Sequence, residues 1–326
     1  MPNPAQPDLG YFAYRAVKRL PVSLAQSERV RSERGGMVRV RVGCQFDFES
    51  DAAVPTIILV QPRRDGQHTV VREIRTIAPD LPVREYHDLF GNTCWRLVMP
   101  AGQTSVRYDA LVDVTREPDR VPATLPLAPV EGLPDETLVY TLPSRYAESD
   151  LLADEAWKLF GSVPATGERV LAICDWVHSN IGYQSGTSDP TVTALTTFQR
   201  GYGVCRDLAL LSVAFCRAVN IPARYAFGYL PDIDVGPPDS PMDFHAWFNA
   251  FVGGEWYTFD ARHNVPRIGR IQIAHGRDAV DVAMATTFGT SVLNRFEVWS
   301  DEVSDDLTEL MPPVESVNRP QDLLAS

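Results

Sequence analysis

From Val38 to Phe48 every even position is apolar (Val38, Val40, Val42, Cys44, Phe46, Phe48), and the odd positions are Arg39, Arg41, Gly43, Gln45 and Asp47. A period of two sends alternate side chains to opposite faces of an extended chain, so this stretch predicts a half-buried strand. The pattern returns at Val106, Tyr108, Ala110, Val112 and Val114, with shorter β-rich runs at 56–60, 69–77 and 95–99. Asp65-Gly66 and Gly91-Asn92 supply turns between them. No helical period interrupts residues 38–115, so residues 37–116 are expected to form an antiparallel β domain. Residues 1–36 fit no pattern and are expected to be an extension outside it.

Pro118, Pro122, Pro126, Pro129 and Pro134 then deny regular hydrogen bonding to one segment, which predicts a linker over 117–141. Beyond it the period becomes helical. Ser149 is a candidate cap for a helix running to about Phe160, stopped by Gly161 and Pro164. Thr166 is a candidate cap for a second helix ending near Asn180, whose stripe is Val170, Ile173, Val177 and Ile181. Cys174 lies beside that stripe and reads as core. A second, mixed domain is expected over 142–300, followed by an acidic tail over 301–326. The fold class is α+β.

Charge narrows the function. Acidic residues outnumber basic ones 42 to 30, a net of −12, which repels phosphate backbones and argues against nucleic-acid binding. The basic residues are arginines apart from Lys18 and Lys158, so few amines are available for self-crosslinking. The most apolar run, 208–219, is interrupted by Ser212 and Arg217 and falls short of the ~18 residues that span a bilayer. The amino terminus lacks the basic and apolar regions of a secretory signal, and the cytoplasm is the expected location. No oligomeric state follows from the sequence. Cys44, Cys94, Cys174, Cys205 and Cys216 are odd in number and widely spaced, so free thiols are expected.

Cys205 has a distinctive setting. It follows Gly201 and Gly203 and heads a helix whose stripe is Leu208, Leu211, Phe215 and Val219. Free backbone N–H groups and the positive end of the helix dipole favour a thiolate there, which makes Cys205 a candidate nucleophile. Cys216, on the same helix, reads as a small buried residue.

A thiolate nucleophile needs a base, and the candidates are His68, His87, His178, His245, His263 and His275. The run 245–252, then Gly253-Gly254, then 255–260, is the signature of a two-residue hairpin. A tight turn sets Val252 opposite Glu255, Trp247 opposite Asp260 and His245 opposite Arg262. His245, Trp247 and Asp260 then share a face, with Asp260 diagonal to His245 at ~7–8 Å between backbones. A carboxylate so placed orients the imidazole and favours its charged form. His263 falls out of phase and is expected to point to the other face, as a turn or surface residue.

The segments GVCRDLALL, IPARYAFGYL, DFHAWFNAFV and WYTFDARHN together resemble the bacterial transglutaminase-like family of the papain-like cysteine protease superfamily. The resemblance spans about 142–296, including LPSRYAESD and GRDAVDVAMATTFG, and reaches less specifically into the β region, as the family's sandwich-like amino-terminal domain. It implies a papain-like catalytic domain whose cysteine opens the central helix while histidine and aspartate lie on adjacent strands. The motif carries over onto Cys205, His245 and Asp260. For the oxyanion of acyl transfer the backbone N–H of Cys205 is the first candidate donor. Gln199 is the second by the same resemblance, its alternative being a surface helix residue. Trp247 and Tyr229 are candidates for the substrate groove, and the loop Pro237-Pro238-Asp239-Ser240-Pro241 for an exposed rim.

The expected reaction is acyl transfer from a peptide or amide substrate through a thioester, resolved by water. Amide formation with an amine acceptor is the alternative, and a binding protein on the same fold the third reading. No cofactor and no metal are expected, Asp278 and Asp281 being read as loop caps.

Overall fold

The computed structural model describes residues 36–236 and 242–303. The expectations for 1–35, for the loop 237–241 and for the tail beyond 303 lie outside the described residues.

Two four-stranded antiparallel sheets form the first unit. One has the order β14-β1-β6-β3, from β1 (Met37–Ser50), β3 (His68–Ala78), β6 (Gly102–Thr115) and β14 (Val292–Glu302). The other has the order β13-β2-β5-β4, from β2 (Val54–Ile58), β4 (Arg84–His87), β5 (Thr93–Met99) and β13 (Ala285–Thr287). The even positions of β1 face the core as the alternation requires, and Trp95 of one sheet meets Tyr108 of the other edge to face at 5.7 Å.

Two features depart from expectation. Strands β13 and β14 pair with β2 and β1, so residues 285–302 complete the first unit and do not belong to a catalytic domain ending at 300, nor do 301–302 to a tail. Strand order along the chain carries no mark of a partner more than two hundred residues upstream. The linker is also docked. Pro126 O accepts from Gly253 N, and Asp119 accepts from Arg270.

The second unit has α1 (Asp135–Leu138), α2 (Ala153–Phe160), α3 (Gly167–Asn180), α4 (Ala194–Arg200) and α5 (Cys205–Ala218). Thr166 caps α3 through Glu168 N, as expected, but α2 starts at Ala153 after Leu152 rather than at Ser149. Helix α5 is buried from Asp207 to Arg217 and is the central element. It packs on a sheet of order β11-β10-β9-β12, from β9 (Ala223–Tyr229), β10 (His245–Val252), β11 (Glu255–Phe259) and β12 (Ile271–Gly276). A two-stranded parallel pair, β7 (Gly182–Tyr183) and β8 (Tyr202–Gly203), precedes α5. Ala246, Phe248, Ala250 and Val252 of β10 join the core with α5, whereas Trp247 and Asn249 face a cavity on the sheet's other side. No helix among the described residues is long and apolar enough to cross a membrane.

Candidate active site

Cys205 is the first residue of α5, and the approach to it is shaped by residues around it. Gly201 closes α4 at φ 73°, a left-handed conformation that favours glycine. A Cβ on Gly203 would lie 2.7 Å from that of Asp207, so glycine here lets the Asp207 carboxylate pack under the helix start. That carboxylate, fully buried, accepts from Val204 N at 3.1 Å, Arg200 Nη2 at 3.0 Å and Ser188 Oγ at 2.8 Å. The first turn of α5 keeps backbone N–H groups with no acceptor inside the helix, and Cys205 sits among them.

The other four cysteines are buried, and only Cys205 is partly exposed. Burial pushes the Cys44 thiol up to about 12 and the Cys94 thiol up to about 11, and raises Cys174 and Cys216 as well.

The hairpin has the expected register from Val252 opposite Glu255 to Phe248 opposite Phe259, with Gly253 and Gly254 both at positive φ. The ladder stops there. His245 Nε2 and Asp260 Oδ2 are 2.7 Å apart, both side chains buried. This leaves Nδ1 as the second ring nitrogen, and His245 lines the same cavity as Cys205. Burial lowers the His245 pKa, but attraction to Asp260 and Cys205 and the bond to Asp260 outweigh it, so the imidazolium is favoured. Burial likewise opposes the Asp260 charge, yet His245 and Arg270 hold its carboxyl well below the usual range.

Arg270 was not legible in the sequence. Its Nη2 donates to Asp260 Oδ2 at 3.0 Å and its Nε to Asp119 Oδ2 at 2.8 Å, which ties the linker to the carboxylate behind His245. Nothing in the local pattern before β12 marks this arginine.

Four expectations need correction. His263 does not point away: its ring centroid lies 4.9 Å from that of His245, and its backbone N–H donates to Asp260 Oδ1. Parity counting fails because β11 ends at Phe259 and the chain turns around Asp260, which accepts from Arg262 N and His263 N. Burial lowers the His263 pKa to about 4. Gln199 is exposed on α4 and does not line the cavity beside Cys205, because the left-handed turn at Gly201 separates the two. Tyr229 is fully buried and donates to Val60 O at 2.9 Å, so it belongs to the packing between the two units. Trp247 shares the His245 face and stacks on that ring at 6.2 Å, but it lines a different cavity.

The cavity that does hold Cys205 has a volume of about 740 Å³ and is lined also by His245, His263, Tyr183, Asp243 and Phe244. The guanidinium of Arg262 lies over the Tyr183 ring at 4.0 Å. Val235, Gly236 and Met242, which flank the loop 237–241, reach the same cavity. Among the described residues His245, Asp260 and His263 form the cluster whose ligand atoms are close enough to hold a metal ion, within 4.8 Å of one another. Two of those atoms are already bonded to each other. Asp278 accepts from Tyr146 N and Val280 N, and Asp281 from Arg277 N, so both cap loops.

Residues 157–261 match the family model of the Transglutaminase-like superfamily. A solved structure of a proposed cysteine protease from Cytophaga hutchinsonii superposes with a TM-score of 0.74 at 32% identity, covering 83% of this chain and 92% of that one. An uncharacterized protein of Mycobacterium leprae (strain TN) is 27% identical over 229 residues, 68% of this chain and 81% of that protein.

Proposed function

The chain belongs to the transglutaminase-like superfamily, and from that premise we propose that it transfers the acyl group of a peptide or amide onto Cys205 and releases it to water. The fold and its relative support cysteine-dependent acyl transfer in general. The observation that carries the finer reading is that the partly exposed Cys205 and His245, itself bonded to the buried Asp260, line one cavity of substrate size.

The steps follow from the protonation preferences. His245, its charged form favoured by Asp260, takes the thiol proton as the Cys205 sulfur attacks the carbonyl carbon. The carbon–sulfur bond forms as the carbonyl π electrons move to oxygen, and the backbone N–H of Cys205 at the start of α5 donates to that oxyanion. His245 returns the proton to the leaving amine as the carbon–nitrogen bond breaks. It then takes a proton from water as the water oxygen attacks the thioester carbon, and the carbon–sulfur bond breaks to free the acid and return the Cys205 sulfur, which recovers that proton. Asp260 keeps the ring oriented throughout.

Amide formation would require an acceptor amine held near the thioester, since positioning worth an effective ~10⁵ M is what outcompetes bulk water. An aromatic wall beside the thioester would supply such shielding, but Trp247 faces the other cavity. The intact thiol–imidazole–carboxylate set weighs against a purely binding role. A cytoplasmic location stays part of this proposal and is checked by cell fractionation.

The test is intact mass during turnover of a peptide-amide library with a labelled primary amine present. An acyl adduct on Cys205 followed mainly by free acid is the expected result. Dominant amide product would replace hydrolysis by amide formation, and no adduct with any donor would defeat the acyl-transfer reading.

A further inference from the structure

A second cavity, of about 430 Å³, lies where the loop 63–68 and the linker residues 117–120 meet the outer face of the β9–β12 sheet. Its wall carries five arginines, Arg63, Arg120, Arg224, Arg267 and Arg270, against three carboxylates, Asp65, Glu117 and Asp119, in a chain whose net charge is −12. Four of the arginines have carboxylate partners, Arg63 with Asp65 at 2.6 Å, Arg270 with Asp119 at 2.8 Å and Asp260 at 3.0 Å, Arg267 with Asp232 at 3.2 Å and Arg120 with Glu255 at 3.4 Å, and Glu117 is exposed at the rim.

Arg224 is held differently. It lies over the Trp256 ring at 4.3 Å, donates from Nε to Asn249 Oδ1 at 3.1 Å, and has Nη1 3.2 Å from the His275 ring nitrogen. Among the described residues no carboxylate lies within ion-pair distance of it. Burial lowers its pKa to about 10, which still leaves it cationic at neutral pH.

The same wall concentrates unmet hydrogen-bonding capacity. Six buried side-chain atoms among the described residues have no partner, and four of them belong to residues lining this cavity: Trp247 Nε1, Arg267 Nε, Arg270 Nη1 and His68 Nε2. Buried polar groups are almost always paired, so such a concentration calls for a ligand. Indole and guanidinium N–H groups donate and cannot accept, so the complement must be an acceptor. The charge of Arg224, which has no carboxylate partner among the described residues, and its flat fork select an anion with planar or tetrahedral oxygens.

We propose that this cavity is a binding site for a small oxyanion, a carboxylate or phosphate group on a molecule of metabolite size, held by Arg224, Arg270 and the Trp247 indole. The assignment does not depend on the acyl-transfer reading.

The test is calorimetric titration of the full chain with inorganic phosphate and with citrate, against chloride at matched ionic strength. In parallel the ¹⁵N–¹H indole resonance of Trp247, identified by its loss in Trp247→Phe, is followed in the unsubstituted protein. Saturable binding of at least one anion with a matching shift of that resonance is expected, and preference for either anion identifies the headgroup. Arg224→Gln should weaken the binding roughly tenfold or more, the scale of one charge-assisted hydrogen bond. The proposal falls if neither anion saturates, if the Trp247 resonance does not move, or if a folded Arg224→Gln protein binds as tightly as the original.

Discussion

Two cavities flank the sheet that carries His245, and they are built on different terms. The larger one has a nucleophile, a base and a helix start, all supplied by the second unit except for Phe296. The smaller one has no cysteine among its lining residues and takes its charge from both units. They share Arg267, and Arg270 stands between the smaller cavity and Asp260. Reactive groups thus lie where strand and helix ends leave the backbone open, whereas the arginines sit over a sheet interior that the β domain covers.

The largest effect that could sharpen this contrast is at the thiol. Cys205→Ala should lower turnover by about 10⁴-fold or more with little change in Tm, while Cys216→Ala costs about 1 kcal/mol of packing and spares activity. Steady-state kinetics and thermal melts separate the two. Alkylation near neutral pH should label Cys205 first, and faster labelling of any buried cysteine would break the comparison.

Asp260→Asn comes next, with an expected loss of about 10⁴-fold in kcat by analogy with the aspartate of a serine protease triad. It should also destabilise by about 1–3 kcal/mol, because the buried Arg270 keeps Asp119 but loses one charged hydrogen-bond partner. Unfolding in denaturant checks the second part, and an unchanged midpoint would remove Arg270 from the argument.

Arg270→Met probes the bridge between the cavities. Loss of its charge removes one of the cations that hold the Asp260 carboxyl low, so the acid limb of turnover should move to higher pH and turnover slow about tenfold. An unmoved pH profile would make Arg270 structural only. His263→Ala should cost about tenfold as well, given its ring contact with His245, and less than Asp260→Asn.

The smallest effect is on acid stability. Histidines that are neutral in the folded state titrate at ~6.5 when unfolded but at about 4 for His263 and about 2 for His275, both through burial first. Between those values the unfolded chain binds more protons, so stability falls as pH drops below ~6.5. The contribution of His245, whose pKa is raised, has the opposite sign and is lost as pH rises through its folded pKa. His275→Gln should flatten the acid slope of Tm.

How much of this was legible depended on whether the signal was local. The β1 alternation, the Thr166 cap, the helix headed by Cys205 and the Gly253-Gly254 turn are each written within a dozen residues, and each appears in the structure. The His245–Asp260 contact followed from that turn by counting. His263 escaped because counting assumes a strand that had already ended. Arg270, Asp119 and the return of β14 to β1 rest on contacts between distant segments, for which a single sequence carries no periodic mark.

That returning strand has a consequence for how the molecule is made. Val40 of β1 pairs with Glu302 and Phe46 with Phe296, so the first strand among the described residues receives one of its two neighbours from their final stretch. Until then one edge of β1 is open to any passing strand, while everything between the linker and β13 has already been synthesised and can collapse around α5. Synthesis order and spatial order therefore run in opposite directions: the unit encoded in the middle is able to finish before the one that was begun first.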